Sequence, residues 1–287
     1  MLTASFLFAV MAASVKMAAP EIGSFSMIFW RGLFGCVFLY VWARSTGRTL
    51  KTNYPVAHFK RSGIGTLALG LWLYAVAHLP LSTGMTLNYT SPLFIAAYVA
   101  AAAIFLGRPV QWPLVFASVA GFAGVVEVLQ PEFHAGDAFP ALMGLASGLL
   151  SAVAYVQIRT LSLLHEPDWR VVFYFSLCNV VFGALTHPFF DAPDTYTLKG
   201  MLCIVTAGVS ATLAQIALTK SYGSGNLLVS AILSFSAIIF AVAIGVAFFD
   251  DPLPLQSAAG IVIIIFSGVC ASVFSKSKTS QGKSVEL

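Results

Sequence analysis

Ten stretches of this chain, each roughly 17 to 25 residues long and almost free of charge, follow one another with only short links between them. They cover residues 3–19, 25–43, 62–79, 82–106, 112–130, 140–160, 170–188, 197–219, 225–249 and 254–275. A helix crossing a hydrocarbon core of about 30 Å needs about 20 mostly apolar residues, because each backbone N–H and C=O must find its partner inside the segment. The pattern predicts an all-α membrane protein of ten transmembrane helices. Apolar residues make up 59% of the chain and charged ones 9%, with a mean hydropathy of +0.89. A soluble domain carries about 25% charge, so the lipid bilayer is the expected partner of most of this surface.

The first stretch is short for a span, as in a chain that starts slightly late, and small residues follow it, as they would a secretory signal. It lacks the basic leading segment of such a signal and carries Lys16 in its last turn, so we read it as a helix. Orientation follows from the basic residues, which collect on the cytoplasmic side of short loops. With the N-terminus inside, the inner face receives Arg44, Arg48, Lys51, Lys60, Arg61, Arg108, Arg159, Arg170, Lys220, Lys276, Lys278 and Lys283, 12 of the 15 Lys and Arg. Lys16, Arg31 and Lys199 fall toward the outer side, with most of the acidic residues. Both termini are therefore expected on the cytoplasmic side of a cell (inner) membrane. The net charge of +4 is absorbed by this topology and leaves no basic face for a nucleic acid.

Sliding the chain by 143 residues, half its length, lays the first five stretches on the second five. That register matches Gly65 with Gly208, Ala68 with Ala211, Ser91 with Ser234, Phe105 with Phe248 and Pro109 with Pro252. An odd number of helices per half turns the second half upside down. The reading is thus two inverted five-helix repeats, residues 1–138 and 139–276, with a cytoplasmic tail at 277–287. Inverted repeats are a common plan of secondary transporters, whose site lies near the midplane between the halves.

Several local features point the same way. Val15 and Lys16 close the first helix, Arg31 stands early in the second, "YTSPLF" places Pro92 in the fourth, and "FFDDPLPLQSAAGIVIIIFSGV" links the last two. In these features and in its layout nearly the whole chain resembles the drug/metabolite transporter superfamily, in its EamA-type branch. The resemblance implies a ten-helix permease with a central cavity lined by helices one, three, four, six, eight and nine. Gly107 and Arg108 stand where the family often closes the fourth helix with an acid, although the repeat counterparts Asp250 and Asp251 are present. The first helix also begins later than is usual there.

A charge near the bilayer centre costs at least ~2.5 to 3.5 kcal/mol, so those that remain usually meet a cavity or a partner. Lys16 and Arg31 are candidates to attract an anionic group, against the alternative that both snorkel to the headgroups. Glu127 reads as an interfacial acid. Uncharged candidates for substrate contact are Trp72, Tyr74, Asn88, Tyr89, Tyr155, Gln157, Gln215 and Ser234. For tyrosine and serine, helix-to-helix hydrogen bonding is the ordinary role; the amides are costlier to hide. Trp72, Asn88, Gln215 and Ser234 share a depth and are expected to line one cavity.

Cys36, Cys178, Cys203 and Cys270 show no metal spacing, and no metal or cofactor is expected. The chain contains no HExxH, GxSxG or Walker motif, which argues against an intramembrane enzyme and against a primary pump. The expected function is a secondary permease for a small amphipathic metabolite such as an amino acid, working by alternating access. A membrane receptor or assembly factor is the main alternative, and a homodimer is compatible with either.

Overall fold

The computed structural model describes residues 1–283, with side chains to residue 275. Its helices are α1 (Leu2–Ala18), α2 (Ser24–Ser45), α3 (Pro55–His78), α4 (Leu81–Asn88), α5 (Ser91–Phe105), α6 (Trp112–Leu129), α7 (Ala138–Leu163), α8 (Asp168–Phe190), α9 (Leu198–Ser224), α10 (Leu227–Ser234), α11 (Ser236–Phe249) and α12 (Leu255–Lys283). No strand occurs among the described residues. With α4–α5 and α10–α11 each taken as one broken helix, the chain has ten helical rods. Eight of them are long and apolar enough to cross a membrane. The other two are α1, apolar but of 17 residues, and α3, which carries His58, Lys60 and Arg61 near its start. The helix α12 runs through the expected boundary at residue 276, and residues 284–287 of the expected tail lie outside the described residues.

Chain chemistry sets the ends and the breaks. Pro55, Pro92 and Pro113 sit in the first turns of α3, α5 and α6, where a missing N–H costs nothing. Asn226 caps α10 by accepting from Leu228 and Val229, and Thr197 caps α9 by accepting from Gly200. The break between α4 and α5 falls at Tyr89 and Thr90, where the Thr90 hydroxyl donates to Leu87 O at 2.6 Å and Pro92 removes a donor. The break between α10 and α11 falls at Phe235. There Ser234 donates to Ala231 O at 2.6 Å and Ser236 to Leu233 O at 2.7 Å. Such hydroxyls compete with the helix ladder for the same carbonyls.

Rods pack in pairs: α1 with α9, α3 with α7, α2 with α8 and α6 with α12, while α1 also meets α11 and α7 meets α4 and α5. Exchanging the first five rods for the second five leaves these principal pairings unchanged. Small residues set the closest crossings, as expected where lipid removes the usual hydrophobic drive between helices. A Cβ built on Gly124 would lie 2.7 Å from Gly260 O, and one on Gly260 equally close to Gly124 O, so α6 and α12 touch backbone to backbone. Outward faces carry large apolar side chains, among them Phe38 and Val41 on α2 and Phe266 and Val269 on α12.

Candidate functional site

Polar groups at the end of the bundle where α1 stops and α2 starts tie the rods together. Lys16 pairs with Asp251 at 3.1 Å, with both side chains about half exposed, and its ammonium stands 4.1 Å from the Phe249 ring centroid. Asp191 and Asp194, in the α8–α9 link, accept from the start of α2: Ser26 N donates to Asp191 at 2.6 Å and Gly23 N to Asp194 at 2.9 Å. Burial alone would raise the Asp194 carboxyl, but hydrogen bonds from Ser26, Gly23 and Tyr196 outweigh it and hold the acid below its ordinary range. Glu127 accepts from Gln256 at 2.9 Å across the α6–α12 pair.

Midway down, α2, α8 and α9 enclose a cleft of about 10 Å³, room for one water. Arg31, Gly32, Phe175, Ser176, Asn179 and Gln215 are among its walls. Arg31 makes one polar contact, from Nη1 to the Met11 sulfur at 3.8 Å, a weak acceptor. Gln215 has its Oε1 buried without a hydrogen-bond partner. Asn179 is engaged, accepting from Thr66 at 3.1 Å.

Behind Phe175 lies a second guanidinium, that of Arg61. Its residue is 2% exposed, and its Nε and Nη1 are buried without hydrogen-bond partners. Its Cζ stands 4.2 Å from the Phe175 centroid. Tyr155 and Cys178 lie within electrostatic reach, and a Cβ on Gly65 would come 2.7 Å from Nη1, so Gly65 leaves the guanidinium its room. A desolvated cation–π contact offsets about 2 kcal/mol of the burial cost, less than the two missing hydrogen bonds would supply. Among the described residues no carboxylate lies within 4.0 Å of Arg31 or Arg61.

Tyr155 is stacked on Tyr222 with centroids 4.6 Å apart, and Tyr89 lies 6.4 Å from the Phe235 centroid at the α10–α11 break. The Tyr222 hydroxyl faces Ser234 but completes no hydrogen bond. Toward the expected cytoplasmic side a larger cavity of about 440 Å³ opens between the start of α3 and the end of α7, lined by Asn53, Tyr54, Lys60, Gln157, Thr160 and neighbours. Gln157 also has a buried, unpartnered Oε1. Next to the α7–α8 link, Glu166 accepts from Thr52 at 2.8 Å, from Arg170 at 2.9 Å and pairs with His58 at 3.2 Å.

The structure thus brings Arg31 and Gln215 to one cleft, groups Tyr89, Tyr155 and Ser234 around Phe235 and Tyr222, and places Gln157 at the cavity beside Lys60. Trp72, Asn88 and Ser234 line neither of these two cavities. Asn88 donates to Ser147 at 3.1 Å, and Tyr74 is stacked on His78 on an exposed face. Sequence reasoning passed over Arg61 because the hydropathy of α3 begins at residue 62, while the helix begins seven residues earlier. Gly65, one turn further along, is the signal that could have marked it. Among the described residues no group of three His, Cys, Asp or Glu is placed to hold a metal ion.

Residues 1–130 match the EamA-like transporter family. Over 91% of its length, and 91% of theirs, the chain is 29% identical to the pseudopaline exporter CntI of two Pseudomonas aeruginosa strains. The chain is thus similar to EamA-like transporters through its first half, and to named transporters over most of its length. It is also 29% identical to a riboflavin transporter of Rhizobium johnstonii, over 74% of this chain and 68% of that one, and 23% identical to an S-adenosylmethionine uptake transporter of Rickettsia conorii, over 93% and 89%. A crystal structure shares the fold, with a TM-score of 0.83 over 96% of this chain and 95% of the other at 19% identity. These likenesses support the EamA-type branch of the drug/metabolite transporter superfamily, to which the residues pointed.

Proposed function

We propose that this protein is an EamA-type permease that moves a small organic metabolite, such as an amino acid or related amphipathic compound, across the cytoplasmic membrane by alternating access between two inverted halves. The observation that carries the reading is a polar interior inside an apolar exterior. Arg31, Arg61, Gln157 and Gln215 keep hydrogen-bonding capacity unfilled between helices whose outer faces are large apolar side chains. Buried polar groups without partners are costly and uncommon unless something comes to fill them. Packing supports two related halves. The principal helix pairings survive exchange of the halves, and the 143-residue register places Ser91 and Pro92 of one break on Ser234 and Phe235 of the other.

The named relatives include an exporter and an uptake transporter acting on different solutes, so their names support small-molecule transport without fixing direction or substrate. The 12-to-3 division of basic residues supports cytoplasmic termini. No acid sits at the centre among the described residues, which favours facilitated movement or exchange over proton coupling. The test is a thermal-shift screen of the purified chain against a metabolite library, since a ligand of the folded state raises its apparent stability. Each hit is then assayed for movement into sealed liposomes. Hits that cross only when the protein is present support the permease; hits that stabilise it but never cross, in either direction, sink it in favour of a receptor.

A further inference from the structure

We propose that Arg61, with Arg31 as a second cation, is the receptor for an acidic group on the solute, which is therefore an organic anion or a zwitterion presenting a carboxylate or phosphate. This rests on the permease reading and adds the charge of the substrate to it. A guanidinium cannot shed its proton to escape burial, so its five N–H groups must either meet an acceptor or stay unsatisfied. Arg61 is 2% exposed, with two of its nitrogens buried and unbonded. Glu166, the acid that pairs with His58 one turn earlier on α3, is already engaged by Thr52, His58 and Arg170.

The surroundings are shaped for the guanidinium and not for a closed core. Phe175 supports one face, and Gly65 vacates the space at Nη1. Phe175 also lines the one-water cleft that Arg31 enters, so a solute that widens this cleft beside Arg31 would touch the ring on whose face Arg61 stands. Planar forked donors of this kind match the paired oxygens of a carboxylate or a phosphate. The unpartnered Gln215 carbonyl in the same cleft would accept a hydrogen bond from the solute's donor end, an ammonium or hydroxyl.

The experiment uses the full chain, purified and in sealed liposomes, with matched solutes: succinate against succinamide, benzoate against benzamide, phenyl phosphate against phenol, and every hit from the library screen. The expected result is that bound and transported solutes carry an acidic group and that their neutral counterparts are ignored, with the carboxylate and phosphate arms telling the two acids apart. Arg61→Met should raise the half-saturating concentration about 100-fold, and Arg61→Lys about tenfold. In the absence of solute, Arg61→Met should melt higher than the wild type, because an apolar side chain replaces an uncompensated buried charge. Melting below the wild type would assign Arg61 a structural role and overturn the proposal, as would transport of neutral solutes equal to that of acids. Failure to move any solute would instead bring down the permease reading, and this inference with it.

Discussion

Glu166 sits in the α7–α8 link with a side chain only 4% exposed, and three donors from three segments, Thr52, His58 and Arg170, converge on it. Burial on its own would raise its carboxyl. The hydrogen bonds from Thr52, Arg170 and His58, with the nearby Arg170 charge, outweigh that and hold it below the ordinary glutamate value. A depressed folded value means the contribution to stability is present above the unfolded value and is lost as pH falls through the folded one. Glu166→Gln should therefore lower stability by about 3 kcal/mol at neutral pH, since it strips the partner from Arg170 and His58. In melts of both proteins, the gap should begin to close as pH drops below about 4.3, the ordinary value for glutamate; a gap that stays constant down to acid denaturation would mean the charge is irrelevant. Residue roles were unevenly legible from sequence. Arg31 was visible as a charge inside an apolar run, whereas the partnership of Lys16 with Asp251, 235 positions away, is a product of folding alone.

At the scale of elements, sequence placed each rod but not the way two of them break. Pro92 marks the first break openly. The second has no proline, only Ser234 and Ser236 donating back to the helix carbonyls, a signal that surfaces through the repeat register and not by itself. The first break is also a contact point, because α7 runs past it at Gly148. A Cβ there would collide with the Thr90 hydroxyl and lie 2.8 Å from Leu87 O. One of the two is backbone and cannot step aside, so Gly148→Ala should cost about 1 to 3 kcal/mol by overpacking. Gly63 on α3 provides the contrast: nothing lies within 4 Å of a Cβ there, and Gly63→Ala should be neutral or add up to about 1 kcal/mol through helix propensity. Thermal melts of both variants in the same detergent check the pair; equal effects would show that helix propensity and not the close approach decides. The GxxxG spacing of Gly144 and Gly148 is a sign of close packing, but it does not say that the partner is a helix break instead of an intact helix.

For the whole molecule, the count of ten rods and the membrane class follow from hydropathy, since the need to satisfy the backbone in lipid leaves a chain of this composition few alternatives. The floor of the interior was harder to see, because α3 mixes basic residues into its first turns and hides Arg61 behind what looks like a loop charge. Orientation is the remaining global property, and it can be tested without a substrate. Five rods per half with both ends inside require the α2–α3 link at residues 46–54 to be cytoplasmic and the α6–α7 link at 130–137 to be external. Lys51 and Ala135 are exposed in these links, and the four native cysteines all lie within helices, where they form a low background. In intact cells, a membrane-impermeant thiol reagent should label Ala135→Cys, while Lys51→Cys should react only after the membrane is opened. The basic residues make this the expected order, because Arg48 and Lys51 lie in one link with Arg44 and Lys60 flanking it, and the other link has none. Reversed labelling would place both termini outside and overturn the orientation. Labelling of both positions from one side would contradict an odd number of crossings between them, and with it the proposed inverted arrangement and the alternating access proposed to rest on it.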